Sequence, residues 1–263
     1  ETVKIARQKT SRIFEHTDVG FVEPARNFAI TKATYPWILL IDADEVLPDT
    51  LGKKLKGFTT QTDYTYYRIP RRNLIFRKWM RHSGWWPDYQ IRFFQKNAVS
   101  WNNEIHSLPV TQGAGMDLPQ IEDNAFIHYH YETVEQYLNR LNRYTTHEAA
   151  QLGADNYQFS WPHIIQKPMS EFLTRFLAWE GYKDGAHGLA LSLLQAFSFL
   201  IVELKVWEKS RFAEHENSSF LENIIHIMTK ARGDFNFWSF THMSNENHGI
   251  KKIYYKLRAK LRL

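Results

Sequence analysis

Two aspartates separated by one residue are the most chemically suggestive feature of this 263-residue sequence. Asp42 and Asp44 follow the apolar run from Trp37 to Ile41, which is typical of a β-strand buried on both faces. In an extended chain, side chains two residues apart point the same way, so both carboxylates would face one Mg²⁺ or Mn²⁺ ion. The pattern predicts a metal site that holds a diphosphate. The alternative is a solvated turn in which Asp44 caps the next helix.

Three further side chains are candidates for the same chemistry. His106 is a possible third metal ligand that would favour Mn²⁺, although a single histidine near a strand end is more often only hydrogen-bonded. Asp88 and Glu104 are rival candidates for a general base, a carboxylate that takes the proton of an attacking hydroxyl group. The alternative for Asp88 is a turn residue after Pro87.

The segment before the aspartates predicts the element that positions them. Ala25, Phe28, Ala29 and Ala33 lie at helical spacing and would form one apolar face. A helix here, followed by Pro36 and the apolar run, makes one helix–strand unit. Because ligands of open α/β sheets gather at the carboxyl ends of strands, the acid pair would lie at the ligand-binding edge.

This unit resembles family 2 of the glycosyltransferases, the nucleotide-sugar-dependent enzymes of the GT-A fold, whose members carry a Gly…Ala-Arg-Asn…Ala helix, a hydrophobic strand and Asp-Ala-Asp. Other segments resemble the subgroup that builds bacterial lipopolysaccharide core and related surface glycans, namely residues 68–73, 82–94, 104–106, 126–129 and 181–188. The resemblance implies a nucleotide-sugar donor and a glycan or lipid-linked acceptor. It also implies inversion by direct displacement, with one base and no covalent intermediate.

One part of the family pattern is missing from the sequence. Family members begin with a strand, a nucleotide-binding loop, a helix and a second strand, whereas this chain opens with Glu1-Thr-Val-Lys-Ile-Ala-Arg, which is similar to the helix that follows them. We therefore expect a truncated chain, in which the segment that binds the base and ribose is absent.

The resemblance and the residue types together suggest binding roles. Arg26 and Asn27, at the start of the predicted helix, and Arg92 are candidates for contacting the diphosphate. Trp85 and Trp86 would stack on a sugar ring while Gln90 donates hydrogen bonds to hydroxyl groups. The alternative is that these aromatic side chains belong to the core. The basic segment from residue 71 to residue 88 predicts a long loop for an anionic acceptor, or simply a solvated face.

Composition limits the remaining possibilities. The sequence contains no cysteine, which excludes disulfides, thiolate catalysis and Cys-based zinc sites. A net charge of +5 suggests an anionic partner. The C-terminal segment from residue 251 has no acid, and Ile253, Leu257 and Leu261 form an apolar stripe between bases. Such a helix suits an anionic membrane surface, or else packs on the protein by its stripe.

The predicted fold class is α/β, with a partial GT-A-like catalytic domain over residues 1–130 and a mostly helical extension over residues 131–263. Thr133 and Gln136 predict a capping box that opens the first helix of the extension. The apolar run from Leu189 to Val202 is shorter than the roughly 20 residues that a membrane span needs, which favours a buried helix or one lying in the membrane plane.

Two other classes of function remain possible at this level. A metal-dependent hydrolase would use His106, His128 and His130 with the two aspartates, but no standard metal-ligand spacing is present. A non-catalytic module that binds anionic polymers would use the basic surface, but it leaves the acid pair unexplained. We therefore predict a metal-dependent glycosyltransferase with no nucleic-acid partner, located in the cytoplasm at the inner face of the cell membrane.

Overall fold

A computed structural model describes residues 2–17, 22–60, 63–102, 108–213 and 219–262. In chain order its α-helices are α1 Thr2–Arg7, α2 Glu23–Lys32, α3 Asp49–Phe58, α4 Val134–Ala154, α5 His163–Leu173, α6 Ala186–Lys209, α7 Phe220–Glu246 and α8 Gly249–Leu261. Its strands are β1 Trp37–Leu39, β2 Glu45–Val46, β3 Tyr66–Ile69, β4 Arg71–Ile75, β5 Lys78–Trp79, β6 Gln90–Gln95, β7 Val99–Ser100, β8 Val110–Thr111, β9 Gly115–Asp117 and β10 Phe126–Tyr131. The α/β class with a mostly helical C-terminal region is confirmed.

The chain forms two compact units. Unit 1 comprises Glu1–Arg71 with Asp88–His128, and unit 2 comprises Arg72–Pro87 with Tyr129–Leu263. The chain therefore passes between the units within β4 and β10. Residues 72–87, which lie within the predicted catalytic domain, belong to unit 2.

The main sheet of unit 1 has the strand order β1-β6-β3-β9. β6 pairs antiparallel with both β1 and β3, whereas β9 runs parallel to β3. Because successive side chains on a strand face opposite ways, Phe93 packs in a core with Leu51 and Leu55 of α3, and Phe94 packs on the other face with Trp101. β6 is thus held by apolar contacts on both faces, which makes it a rigid support for Arg92, the residue just before the two phenylalanines.

The strand before the acid pair differs from the prediction. β1 ends at Leu39 instead of Ile41, and its three residues are only partly buried. Among the described strands it lies at the edge of the sheet and pairs with β6 alone, which leaves its side chains partly exposed although Trp37 and Leu39 pack on one face and Ile38 on the other. Leu40 still donates a hydrogen bond to the carbonyl of Arg92 at 2.8 Å, and this contact carries the chain to the acid pair.

The predicted long basic loop is also different. Within unit 2, β4 and β5 pair antiparallel, with Leu74 opposite Trp79 and Ile75 opposite Lys78. The two residues between the strands, Phe76 and Arg77, both have positive φ values of 50° and 67°, the combination that a tight hairpin turn requires. The hairpin was not predicted because neither residue is a typical turn former.

Unit 2 is otherwise built mainly from helices. The predicted N-cap is confirmed, since the Thr133 side chain accepts a hydrogen bond from the Gln136 amide at 3.1 Å and α4 begins at Val134. The Gln136 side chain reaches back to the amide of Glu132, one residue before the N-cap, at 2.8 Å. Tyr137 and Leu141 of α4 pack with Met80 and Leu191 in the core of this unit.

The glycine element at residues 181–188 fastens the hairpin segment to the helices of unit 2. Asp184 is buried and accepts hydrogen bonds from the backbone amides of Arg81 and His82, at 3.1 and 2.8 Å. Gly185 has a φ of +66°, which favours glycine. A Cβ atom on Gly188 would lie 1.8 Å from the carbonyl oxygen of Gly181. The glycines and Asp184 of this element therefore have a structural role, which is to pack the segments of unit 2 together.

Helix α6 is longer than the apolar run within it. It extends over 24 residues, and its most apolar window has a mean hydropathy of 1.8. By length and composition it is able to cross a membrane, so the length argument from the sequence is wrong. About a third of that window, 33%, is buried inside the protein. Its Glu203 is enclosed and accepts a hydrogen bond from Lys167 of α5 at 2.5 Å.

The apolar stripe of α8 faces away from the protein. Ile253, Leu257 and Leu261 are 61%, 55% and 62% exposed, and Ile250 is 86% exposed. The helix instead buries Ala259. The alternative in which α8 packs by its stripe is therefore wrong.

Candidate active site

The acid pair lies on a turn, not on an extended strand. The amide of Glu45 donates to the carbonyl of Asp42 at 3.0 Å, and the Asp42 amide donates to the Glu45 carboxylate at 3.0 Å. The prediction that the two aspartates point the same way in extended chain is therefore wrong, because local hydrogen bonding closes the backbone here. The alternative in which Asp44 caps the next helix is also wrong, since the N-cap of α3 is Pro48.

Asp42 is held by two arginines. Its Oδ2 atom accepts from Nη2 of Arg26 at 2.9 Å and from Nη2 of Arg92. Burial lowers the pKa of Arg26 below its ordinary value, while the Asp42 carboxylate acts to raise it. The Nε atoms of both arginines are buried and have no hydrogen-bond acceptor among the described residues. Because these atoms are enclosed and the Arg92 side chain is only 1% exposed, Arg26, at 15%, is the one of the two that offers donors to a ligand.

Asp44 points to a different partner. Its Oδ2 atom lies 3.4 Å from Nε2 of His128, and the Asp44 side chain is 39% exposed. His128 is brought there by the pairing of β10 with β2, in which it lies opposite Glu45. The part-exposed carboxylate suits Mg²⁺ or Mn²⁺, and the imidazole nitrogen beside it shifts the preference towards Mn²⁺. Asp44 and His128 are a better pair of ligands for a divalent ion than Asp42 and Asp44, because Asp42 is already bonded to two arginines.

Asp88 is oriented by hydrogen bonds to both carboxylate oxygens. Arg71 donates to Oδ2 from Nε at 3.0 Å and from Nη2 at 2.8 Å, and Gln90 donates to Oδ1 at 3.2 Å. The side chain is 23% exposed, and the residue adopts a positive φ of 41°. Gln90, which we predicted to contact sugar hydroxyls, thus contacts the candidate base.

Glu45 connects these two groups and was missed in the sequence. Its enclosed carboxylate accepts from Arg92 at 2.7 Å and from Arg71 at 3.3 Å. Arg71 was considered only as part of a basic surface for the acceptor. A third acid directly after Asp-Ala-Asp was the available signal, but its burial depends on partners that are distant in sequence.

Asn27 makes a structural contact. Its Nδ2 atom donates to the carbonyl of Trp101 at 2.7 Å, and its Oδ1 atom accepts from the Trp101 amide at 3.0 Å. The side chain thereby ties α2 to the segment after β7. Its contact with a diphosphate stays a prediction.

The tryptophans predicted to bind sugar belong to unit 2. Trp85 packs against the core of that unit, lies edge-on to His130 and has the Arg175 guanidinium 5.6 Å from its ring centre. Trp86 lies edge-on to Trp79 at 5.2 Å. Trp85 therefore packs in the core, as the alternative interpretation expected. Stacking of Trp85 or Trp86 on a sugar ring stays a prediction.

Two predicted residues, Glu104 and His106, lie outside the described residues. Within the part of the chain that the structure describes, no group of three or more histidine, aspartate or glutamate side chains is arranged to hold a metal ion. The hydrolase alternative required such a histidine-rich group, so nothing in the described residues supports it.

The site in unit 1 combines cations, an oriented carboxylate and a candidate metal-binding pair. Guanidinium groups recognise phosphate oxygens through paired hydrogen bonds, and a carboxylate held at a fixed place is what general-base catalysis requires. The arrangement is therefore able to bind an anionic leaving group and to accept a proton.

Comparisons with known proteins identify the chemistry. Residues 1–115 match the model of glycosyl transferase family 2. The chain is 26% identical over 219 residues to an uncharacterised glycosyltransferase of Rickettsia typhi, covering 80% of this chain and 75% of that protein. It is 24% identical over 210 residues to one of Rickettsia prowazekii, covering 75% and 70%. A third, from Rickettsia conorii, is 22% identical over 244 residues, covering 89% and 83%. Residues 1–115 therefore carry a glycosyl transferase family 2 domain, and this match together with the three relatives supports a glycosyltransferase.

Proposed function

We propose that this glycosyltransferase moves one sugar, with inversion, from a nucleotide-sugar donor to a lipopolysaccharide core or another lipid-linked surface glycan. The observation that carries the proposal is the pair of guanidinium groups of Arg26 and Arg92 on the Asp42 carboxylate. The partly exposed Arg26 side chain offers donors to a diphosphate, the charged part that all nucleoside diphosphate sugars share, and the enclosed Arg92 adds positive charge beside it. The family 2 match supports the same class of donor.

The reaction needs one base. In the proposed step, the acceptor oxygen bonds to the anomeric carbon of the sugar while the bond from that carbon to the diphosphate breaks. Asp88 would take the proton of the acceptor hydroxyl group, and the nucleoside diphosphate would leave with the electron pair of the broken bond. Arg26 and Arg92 would stabilise the negative charge on the leaving group. Glu104 remains the rival base.

A divalent ion is part of the proposal. Asp44 and His128 are the described residues that would hold Mn²⁺ or Mg²⁺, since their oxygen and nitrogen atoms lie 3.4 Å apart. When bound, such an ion supplies Lewis acidity that offsets charge on a leaving diphosphate.

The proposed place of action is the inner face of the cell membrane. Helix α8 carries Lys251, Lys252, Lys256, Arg258 and Lys260 and no acid between Gly249 and Leu261. Because its apolar stripe is exposed between these bases, the helix suits an anionic lipid surface, where apolar burial and charge attraction add together. A lipid-linked acceptor would be available at the same surface.

The test is a donor screen with purified protein. UDP-, GDP- and CMP-linked sugars are each incubated with lipid-linked glycan extracts, with Mn²⁺, Mg²⁺ or EDTA, and release of the free nucleotide is measured. We expect metal-dependent release from one class of donor, increased by the acceptor extract. Release without metal would contradict the role of Asp44 and His128, and the absence of release from every donor would contradict the proposed function.

A further inference from the structure

Within the part of the chain that the structure describes, the carboxylate of Glu45 joins the group around Asp42 to the group around Asp88. Its side chain is completely enclosed, on β2 opposite His128 of β10. Oε1 accepts hydrogen bonds from Arg92 and Arg71, and Oε2 accepts from the backbone amide of Asp42. Both carboxylate oxygens are therefore occupied by groups of the site.

The two arginines continue from Glu45 in different directions. Nη2 of Arg92 donates both to Glu45 and to Oδ2 of Asp42. Arg71 contacts Glu45 through Nη1 and contacts Asp88 through Nη2 and Nε. Arg92 thus links Glu45 to Asp42, and Arg71 links Glu45 to the candidate base Asp88.

The geometry of guanidinium groups explains why this arrangement fixes positions. A guanidinium group is planar, and its donors form a rigid fork. The bond from Nη1 of Arg71 to the enclosed Glu45 carboxylate orients the guanidinium plane. The opposite edge, Nε and Nη2, then points in a fixed direction and determines where the Asp88 carboxylate lies. Arg92 is 1% exposed, so packing on both faces of β6 limits its movement as well. A flexible side chain in place of Glu45 would release both forks.

We propose that Glu45 is a positioning residue that sets the placement of Asp88 through Arg71 and of Asp42 through Arg92. The inference rests on the proposed function for the roles of Asp88 and Asp42, but the placement itself is a property of the protein without substrate. Glu45 touches neither the donor nor the acceptor in this scheme. It acts by holding the candidate base Asp88 and the carboxylate of Asp42, which binds Arg26 and Arg92, in the relative position that transfer requires, since misplacement by about 1 Å lowers turnover by about 10²-fold.

Two substitutions separate position from charge. Glu45→Gln preserves the shape of the side chain but removes its charge, whereas Glu45→Asp preserves the charge but shortens the side chain by one methylene group. A role in charge balance alone predicts normal turnover for Glu45→Asp. The positioning role predicts that both variants lose about 10²-fold in kcat, and that a third variant, Arg71→Lys, does the same because lysine lacks the second edge of the fork.

Glu203 offers a matched control. It is also a completely buried carboxylate bonded to a cation, Lys167, but it belongs to unit 2. Glu203→Gln should lower thermal stability at least as much as Glu45→Gln does, because Lys167 loses the carboxylate it pairs with, whereas Arg92 and Arg71 keep Asp42 and Asp88. It should leave kcat unchanged. This control separates loss of stability from loss of placement.

The first measurement needs no substrate. Guanidinium groups held by carboxylates rotate slowly and give resolved side-chain nitrogen signals in NMR spectra of ¹⁵N-arginine-labelled protein. We expect the signals of Arg71 and Arg92 to be resolved in the wild type and in Glu203→Gln and to be averaged in Glu45→Gln. In Arg71→Lys the Arg92 signals should remain. Unchanged Arg71 and Arg92 signals in Glu45→Gln would overturn the proposal.

The second measurement uses nucleotide release from the donor class found active in the UDP-, GDP- and CMP-sugar panel. If Glu45 acts through Asp88, Glu45→Gln should cost much less in an Asp88→Asn background than in the wild type. Equal costs in the two backgrounds, or normal kcat in Glu45→Asp, would overturn the positioning role. If the wild type is inactive with every donor, the proposed function fails, and the NMR spectra alone decide whether Glu45 fixes the two arginines.

Discussion

Arg71 donates two hydrogen bonds to a single oxygen of Asp88, from Nε at 3.0 Å and from Nη2 at 2.8 Å. The carboxylate is therefore oriented before any substrate binds. Pre-orientation reduces the freedom that must be lost when a reacting complex forms. This is the property expected of a group that accepts a proton during transfer.

Asp88→Asn should lower kcat by about 10²- to 10⁴-fold, which is the usual contribution of a general base. The amide is isosteric with the acid and Arg71 keeps Glu45 as an anionic partner, so we expect the melting temperature to change little. Nucleotide release at saturating donor measures the effect. Asp123→Asn, at an exposed position in the same unit, is the control, and equal activity of the two variants would remove Asp88 from the mechanism.

Asp44→Ala should abolish stimulation by metal while leaving the fold intact, because the side chain is 39% exposed and its carboxylate lies beside His128 at 3.4 Å. Isothermal titration with MnCl₂ should show weaker Mn²⁺ binding than in the wild type, and turnover should fall by about 10²-fold or more. Asp123→Ala serves as the matched control. Mn²⁺ binding and stimulation equal to those of the wild type would exclude Asp44 as a ligand.

Asn27→Ala distinguishes a structural role from a role in donor binding. Loss of the two bonds to Trp101 should reduce the free energy of unfolding by about 1–3 kcal/mol. If the amide serves only to hold α2, the KM for the donor should stay within about twofold, which corresponds to about 0.4 kcal/mol of binding free energy. Denaturant unfolding and donor titration give the two numbers. A tenfold increase in KM without loss of stability would assign Asn27 to the donor site instead.

The exposed stripe of α8 predicts binding to anionic lipid. The double variant Ile253→Ser with Leu257→Ser should lose flotation with vesicles of phosphatidylcholine and phosphatidylglycerol, while the wild type floats with them and not with phosphatidylcholine alone. Ile121→Ser removes an equally exposed side chain, 54% accessible, from unit 1 and should have no effect. Flotation of the double variant at the wild-type level would exclude α8 as the docking helix.

Gly188→Ala tests the packing role of the glycine element. Its added methyl group would lie 1.8 Å from the carbonyl oxygen of Gly181, so the backbone must shift, at a cost of about 1–3 kcal/mol or more. Gly57→Ala is the control, because nothing lies within 4 Å of its added Cβ and alanine favours helix by about 1 kcal/mol. Equal melting temperatures for the two variants would show that the close approach at Gly188 carries no strain.

Local sequence determined the elements that build this protein. The apolar spacing around Phe28 predicts α2, the capping box at Thr133 marks the start of α4, and the aromatic run of β6 marks a strand, because each signal depends on neighbours within a few residues. The motif around Asp42 also pointed to the enzyme family. These conclusions needed no knowledge of which segments meet.

Only the tertiary structure decided how the acids are used. The turn at Asp42, the pairing of β1 with β6 and that of β2 with β10 bring Arg92 and His128 to opposite members of the acid pair. They also enclose Glu45, which local sequence marks only as one more charged residue. Contacts between strands far apart in the chain leave no periodic signal in either strand. The partner of each carboxylate is therefore a property of strand pairing, which the sequence near that carboxylate does not contain.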